Sequence, residues 1–423
     1  MVALIRHWLP CRDGEWAPAL WSFGYFFCVL GGYYVVRPVR DTMGITGGVD
    51  KLQWLFTATF VVMALAVPLY GWLVSKVARR TLIPIAYGFF IMNLSVFALL
   101  LRQDVAEVWV ARVFYVWVSV FNLFVVSVFW TFMADIYHTE QARRLFGFIA
   151  AGGSAGAIAG PLVTNRLAEA VGMANLLVVS AVMLGAALVA VIRLRGWTAS
   201  RPASAADDET VIGGRALDGV RQLLSSRYLT GIGVFIVLYT LTSTFLYFQQ
   251  ASIVATAFSD DAARTEAFSL MDLATNTLTV ALQLLATHRL VRYLGLPAAL
   301  ACVPLIVAGG FVALGLMPVF AVLLVFQVLR RAGNYGLTRP ARETLFTTVS
   351  RSERYKAKNV IDTLVYRGGD AVAGWIYTGL GVLGLGLTGT AAVAVPVALG
   401  WAGFGYWLGR AGARRAAVAE AQA

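Results

Sequence analysis

Residues 174–194 read ANLLVVSAVMLGAALVAVIRL, and no charged side chain occurs before Arg193. A helix rises about 1.5 Å per residue, so roughly twenty such residues cross the ~30 Å hydrocarbon core of a bilayer. Lipid admits only helices and closed barrels, because no water is present to satisfy an open backbone. This run is continuously apolar instead of alternating, which excludes a barrel strand. Similar runs recur along the chain, and we place spans near 17–36, 53–75, 81–101, 108–134, 145–165, 174–194, 230–256, 266–287, 295–316, 319–337, 360–384 and 388–409. Composition agrees: 59% of the 423 residues are hydrophobic, 13% are charged and the mean hydropathy is +0.74. A soluble domain carries about 25% charged residues. The expected fold class is an all-α polytopic membrane protein with twelve transmembrane helices.

The net charge of +12 follows the same plan. The N-terminal segment, the even-to-odd loops, with their flanking helix ends, and the C-terminus hold 26 of the 34 Lys and Arg. By the positive-inside rule both termini face the cytoplasm, which points to a bacterial inner membrane. Orientation explains the charge without a nucleic-acid partner. No cleavable signal peptide is read at the N-terminus, so the first helix is expected to be retained. The longest polar stretch begins near Gly196 with RPASAADDET, a flexible-linker composition. It continues as IGGRALDGVRQLLSS, an amphipathic pattern suited to a membrane surface. It follows six spans, so the expected organisation is a six-helix bundle at 1–195, a linker with an amphipathic helix at 196–229, and a second six-helix bundle at 230–423.

Charges within a bilayer are costly and mark candidate functional residues. Arg37, Arg40 and Asp41 close span 1 in YYVVRPVRDTMG. Arg37 and Asp41 share a helix face if the helix persists past Pro38. An interfacial anchor and an anion site both fit these residues, and Tyr33 and Tyr34 fit an interfacial belt as well as a site. Asp272 and Asn276 lie one turn apart in span 8, with Gln283 beyond. Span 11 carries Asp362, Arg367 and Asp370. Arg367 either faces a ligand or neutralises Asp370 or Asp272. Asn122 and Arg112 in span 4 are weaker candidates, since Arg112 can snorkel from its end. Gly152, Gly156 and Gly160 repeat every four residues in span 5, a small face for close packing. Cys11, Cys28 and Cys302 are far apart and the histidines are His7, His138 and His288, so no disulfide framework, metal site or cofactor is expected. No catalytic constellation is present, and an enzyme is not expected.

Several stretches carry a family resemblance. The six-plus-six plan and GWLVSKVARR at 71–80 resemble the major facilitator superfamily, with Ser75 at the usual acidic position. Four further segments resemble the ATP/ADP translocase family of nucleotide transporters. YYVVRPVRDTM matches its Tyr, Arg and Lys-Asp-Thr pattern at Tyr34, Arg37, Asp41 and Thr42, with Arg40 for the Lys. VFWTFMADIYHTEQARRLFG matches at Phe129, Trp130, Glu140, Ala142, Arg144 and Gly147, with Asp135 for a Glu. FSLMDLATNTLT resembles the start of that family's eighth span. The run from Asn334 to Asp370 matches at Tyr335, Pro340, Glu343, Lys356, Lys358, Ile361, Asp362 and Arg367. Asp370 departs from the family, which has a Lys there.

The resemblance implies a secondary transporter of nucleoside phosphates, by ATP/ADP exchange or proton-coupled uptake. It implies Arg40, Asp135 and Arg37 near the substrate or a gate. With the buried charges, the expected substrate-binding residues are Tyr34, Arg37, Arg40, Asp41, Asp272, Asn276 and Arg367. Asp135, Asp362 and Asp370 are the expected gating or coupling residues. The alternative is a major-facilitator transporter of another organic solute, such as a phosphorylated metabolite or lipid. The expected partners are a small anionic substrate and the lipid bilayer, and the expected state is a monomer.

Overall fold

The computed structural model describes residues 11–12, 14–76, 79–103, 106–199, 221, 223–285, 287–349, 357–358 and 360–422. Most of the linker and amphipathic helix expected over 196–229 lies outside the described residues, as do Lys356 and positions 77–78 of GWLVSKVARR. Every regular element among the described residues is helical, as a backbone without water requires.

Span 1 is the helix Trp16–Thr46, and span 2 is Leu52–Lys76 after a short turn at Val49–Lys51. Spans 3 and 4 are Arg79–Arg102 and Glu107–Ile136. Spans 5 and 6 form one helical run, Thr139–Ala199, broken at Gly172 with φ 73° and ψ 165°. Only a residue without Cβ takes this conformation at no steric cost. Spans 7 and 8 are Arg227–Ala257 and Asp261–Leu285, and span 9 is Thr287–Leu316, interrupted in the same way at Gly295. Span 10 is Phe320–Gly333, continued through a π-helical turn at Asn334–Thr338 into Arg339–Leu345. Span 11 opens with a π-helical turn at Ile361–Val365 and continues as Tyr366–Val382, and span 12 is Leu387–Gln422.

Among the described residues nine helices are long and apolar enough to cross a membrane, and that over Glu140–Trp197 contains two spans. Spans 10 and 11 complete the twelve. They fall short of that apolarity because they carry Arg330, Arg331, Asp362, Arg367 and Asp370, and each is interrupted by a π turn. Span 1 continues ten residues past the expected boundary at 36, running through Pro38 to Thr46. Arg37, Arg40 and Asp41 therefore sit inside the helix, not at its end.

The chain divides into two compact units. Unit 1 comprises Met1–Gly47, Leu65–Asp207 and Phe258–Leu273, and unit 2 comprises Gly48–Ala64, Asp208–Ala257 and Ala274–Ala423. In unit 1, Tyr25, Phe26, Phe129 and Phe132 pack at the centre, with Phe26 and Phe129 stacked at 4.1 Å. The glycine face of span 5 lies directly on the backbone of span 1. A Cβ on Gly152 or Gly156 would overlap the carbonyl oxygens of Phe23 or Phe27, and one on Gly160 would lie 2.6 Å from Gly31 O. Such close approach supplies van der Waals contact where lipid offers no hydrophobic drive. In unit 2, a Cβ on Gly369 of span 11 would likewise overlap Thr240 of span 7.

Candidate functional site

In unit 1 the polar side chains of span 1 meet the first turns of span 8. Arg37 donates from Nη1 to Asp272 Oδ1 at 2.6 Å, with side-chain exposures of 19% and 2%. Further along the two helices, Thr42 Oγ1 and Thr265 Oγ1 are hydrogen-bonded at 2.8 Å. Thr46 Oγ1 then donates to Asp261 Oδ2 at 3.1 Å. The numbers rise on span 1 as they fall on span 8, so these three contacts form one antiparallel seam. Span 5 adds Asn165 Nδ2, which donates to Glu266 O at 3.4 Å. Tyr34 stands beside the pair, its ring centre 5.7 Å from the Arg37 guanidinium carbon.

Arg40 occupies a separate setting. Its guanidinium lies 4.0 Å from the centre of the Tyr115 ring, Nε donates to Tyr115 O at 3.2 Å, and Nη1 donates to Asp41 Oδ1 at 3.0 Å. The helix does persist through residue 41, yet Arg37 and Asp41 take different partners. A largely buried cation needs a counter-charge, and each of these part-buried arginines has one: Asp272 for Arg37 and Asp41 for Arg40.

In unit 2, Arg367 Nη1 lies 3.9 Å from Asp370 Oδ2, and Thr244 Oγ1 of span 7 donates to Asp370 Oδ1 at 3.2 Å. Of the two carboxylates offered to Arg367 by the sequence, Asp370 pairs with it, and Asp272 pairs with Arg37. Asp362, two turns before Asp370, pairs instead with Arg342 Nη2 at 3.2 Å. Arg342 also reaches Glu343 at 3.1 Å, and Lys358 is hydrogen-bonded to Glu343. Asn276 is buried one turn beyond Asp272. Asp135 is exposed near the end of span 4.

A model of the Major Facilitator Superfamily matches residues 21–355. The chain belongs to the Major Facilitator Superfamily. It is thus a secondary transporter with that superfamily's twelve-helix fold in two six-helix bundles. Solved structures agree on the fold. The chain is similar to the nucleoside transporter NupG, in a point-mutant structure, with TM-score 0.64 and 13% identity over 94% of this chain and 99% of that one. It is similar to a bacterial homologue of the human lysosomal transporter Spinster, inward-facing and unoccupied, with TM-score 0.62 and 13% identity over 96% and 99%. It is also similar to a bacterial homologue of the iron transporter ferroportin, inward-facing, with TM-score 0.63 and 13% identity over 92% and 100%. A search of curated proteins finds no match.

Two parts of this facilitator were not singled out in the sequence. Glu15 immediately precedes span 1, is 4% exposed, and receives Arg144 of span 5 bidentately at 3.0 and 3.1 Å. Gln141 Nε2 and the Arg12 amide donate to it at 2.7 and 3.0 Å. Burial opposes its ionisation, but hydrogen bonds from Arg144, the Arg12 amide and Gln141 outweigh burial and lower its pKa to about 2. Arg330 and Arg331 are the other part. Read along the sequence they join the basic loop after span 10, but they lie inside the helix Phe320–Gly333, 6% and 8% exposed. A clue is present in the sequence: ten residues from Phe320 to Arg330 cover about 15 Å, half a bilayer core.

Proposed function

We propose that the chain carries nucleoside phosphates across the bacterial inner membrane by alternating access, as an ATP/ADP exchanger or a proton-coupled importer, with both termini cytoplasmic. The observation that carries this reading is the ion pair of part-buried Arg37 with buried Asp272, which closes a polar seam between spans 1 and 8. Both partners lie in segments that resemble the nucleotide translocases. A phosphate oxygen is chemically equivalent to a carboxylate as a guanidinium acceptor, and Arg can hold it bidentately. Substrate therefore competes with Asp272 for Arg37, while Tyr34 stacks on the base and Arg40 and Arg367 hold further oxygens. Asp41 and Asn276 orient these groups. Asp272, once released, is free to take a proton or turn to another donor.

Residues 1–195 and 230–423 rock as two bundles joined by 196–229, which gives alternating access. Asp135, Asp362 and Asp370 exchange partners as the bundles move. The carrier works as a monomer in the bilayer and engages no nucleic acid.

Uptake of labelled ATP by purified protein in liposomes preloaded with ADP, or with buffer alone, tests this. Exchange predicts uptake only with internal ADP; coupled import predicts uptake without it. Arg40→Ala and Arg367→Ala should each reduce uptake at least tenfold, the loss of about one charge-assisted contact. Both variants transporting and binding like the parent would end the proposed mechanism. One observation favours the second reading, a carrier of another phosphorylated or less charged solute. Arg37, Arg40 and Arg367 each face a carboxylate, so these three positions add no net positive charge. Absence of ATP uptake by folded protein would transfer support to that reading.

A further inference from the structure

Arg330 is 6% exposed near the middle of span 10. Among the described residues its hydrogen bonds go to neutral groups. Nε and Nη2 donate to Gln327 Oε1 at 3.2 and 2.9 Å, and Nη1 donates to Ser243 Oγ of span 7 at 2.9 Å. Gln327 is itself fixed by Gln250 of span 7. Among the described residues no carboxylate pairs with Arg330. A guanidinium has five N–H donors, and these contacts use three. Burying a cation without a counter-ion is costly, and charges kept inside a membrane protein are retained for a ligand or a path.

The surroundings suit an oxyanion with a planar group attached. One turn beyond Arg330, Asn334 Nδ2 donates to the hydroxyl of Tyr239, which stands one turn before Ser243 on span 7, at 3.3 Å. The ring of Tyr239 lies 5.8 Å from that of Tyr366, which in turn lies 5.9 Å from the Arg367 guanidinium carbon. The same segment is a π-helical turn, Asn334–Thr338, a distortion that often marks functional sites. Two of its carbonyls are taken by neighbouring side chains: Tyr335 O accepts from Gln283 at 3.3 Å and Gly336 O from Thr287 at 2.6 Å. The turn is thus held open by side chains beyond its own span, so the backbone beside Arg330 is fixed in advance.

We propose that Arg330 is a substrate-binding residue of unit 2, holding a phosphate oxyanion of the transported solute, with Gln327 and Ser243 positioning the guanidinium. This deepens the nucleotide reading and rests on it for the identity of the solute, but not for the oxyanion. It also supplies the net positive charge that the paired arginines lack.

The test is thermal unfolding of the purified, full-length protein in detergent with ATP, adenosine and pyrophosphate, for the parent, Arg330→Gln and Arg330→Lys. ATP and pyrophosphate should raise the parent's Tm. Arg330→Gln should unfold no lower than the parent without ligand, since a buried unpaired charge has been removed. It should lose the pyrophosphate shift and bind ATP roughly 10- to 100-fold more weakly, with Arg330→Lys in between. A response to pyrophosphate but not to ATP, lost in Arg330→Gln, would support the oxyanion site and reject the nucleotide. An unchanged pyrophosphate shift in Arg330→Gln would overturn the assignment. So would failure of the parent to respond to either oxyanion, or an Arg330→Gln protein that is unstable without ligand.

Discussion

At the scale of single residues, the sequence locates charge but not partnership. Arg37, Arg40, Asp41 and Asp272 stand out because charge is rare in apolar runs. Which acid faces which base depends on a helix more than two hundred positions away, and spacing along the chain cannot report it. Arg330 was hidden for the opposite reason: seven residues before a span's expected end and next to Arg331, a cation looks like the start of a basic loop. Glu15 was hidden because a carboxylate before a helix is an ordinary cap. Its burial and its bidentate contact with Arg144 turn it into a joint between spans 1 and 5. Its pKa falls from 4.5 to about 2, so the folded state favours the carboxylate. The stabilisation is complete above about pH 4.5 and is lost as pH falls towards about 2. Glu15→Gln should therefore cost about 3 kcal/mol at pH 7, and the Tm gap to the parent should narrow steadily as pH falls from about 4.5 towards about 2. A gap independent of pH would show that the carboxylate charge is not what holds this joint.

At the scale of elements, most spans were legible because membrane thickness fixes their length and lipid enforces their apolarity. The exceptions are instructive. Span 1 runs to Thr46 because a proline removes one helical hydrogen bond without forbidding continuation where neighbouring helices pack around it. The π turns in spans 10 and 11 left no sequence signal; in span 10 the carbonyls of Tyr335 and Gly336 are taken by Gln283 and Thr287, on other spans. The glycine repeat of span 5 was readable because a four-residue period places small residues on one face. Its partner, the backbone of span 1, was not. Gly156 is the tightest test: the Phe27 carbonyl and the Gly31 amide both crowd its missing side chain, and neither is a flexible chain end. Gly156→Leu should cost 3 kcal/mol or more, beyond the roughly 1–3 kcal/mol of ordinary overpacking, and lower the yield of folded protein. Gly147→Ala should be neutral or slightly stabilising, because nothing lies within 4 Å of its position and alanine favours helix. Equal loss in both variants, measured by fluorescence size-exclusion and thermal unfolding, would mean that span 5 does not depend on this contact.

At the scale of the molecule, hydropathy and charge bias were enough for the class, because a twelve-span chain with a polar interruption after six spans admits few arrangements. They say nothing of conformation. Unit 1 contains Phe258–Leu273, the first turns of span 8, along with most of the first six spans. A boundary drawn by sequence at the polar linker separates these residues from span 1, yet Arg37, Thr42 and Thr46 bind them. If residues 1–195 and 230–423 rock apart during transport, this seam has to open in every cycle. Thr42 and Thr265 offer the means to hold it shut, since their hydroxyls are 2.8 Å apart and neither is part of an ion pair. A protein with Thr42→Cys and Thr265→Cys, and with Cys11, Cys28 and Cys302 replaced by serine, should form a disulfide under mild oxidant. Uptake into liposomes should then fall to background and return on reduction, while either single cysteine variant transports with or without oxidant. Undiminished uptake by fully cross-linked protein would show that spans 1 and 8 stay together through the cycle. The Arg37–Asp272 pair would then be a fixed brace, and the acid released by substrate would have to be sought in span 11.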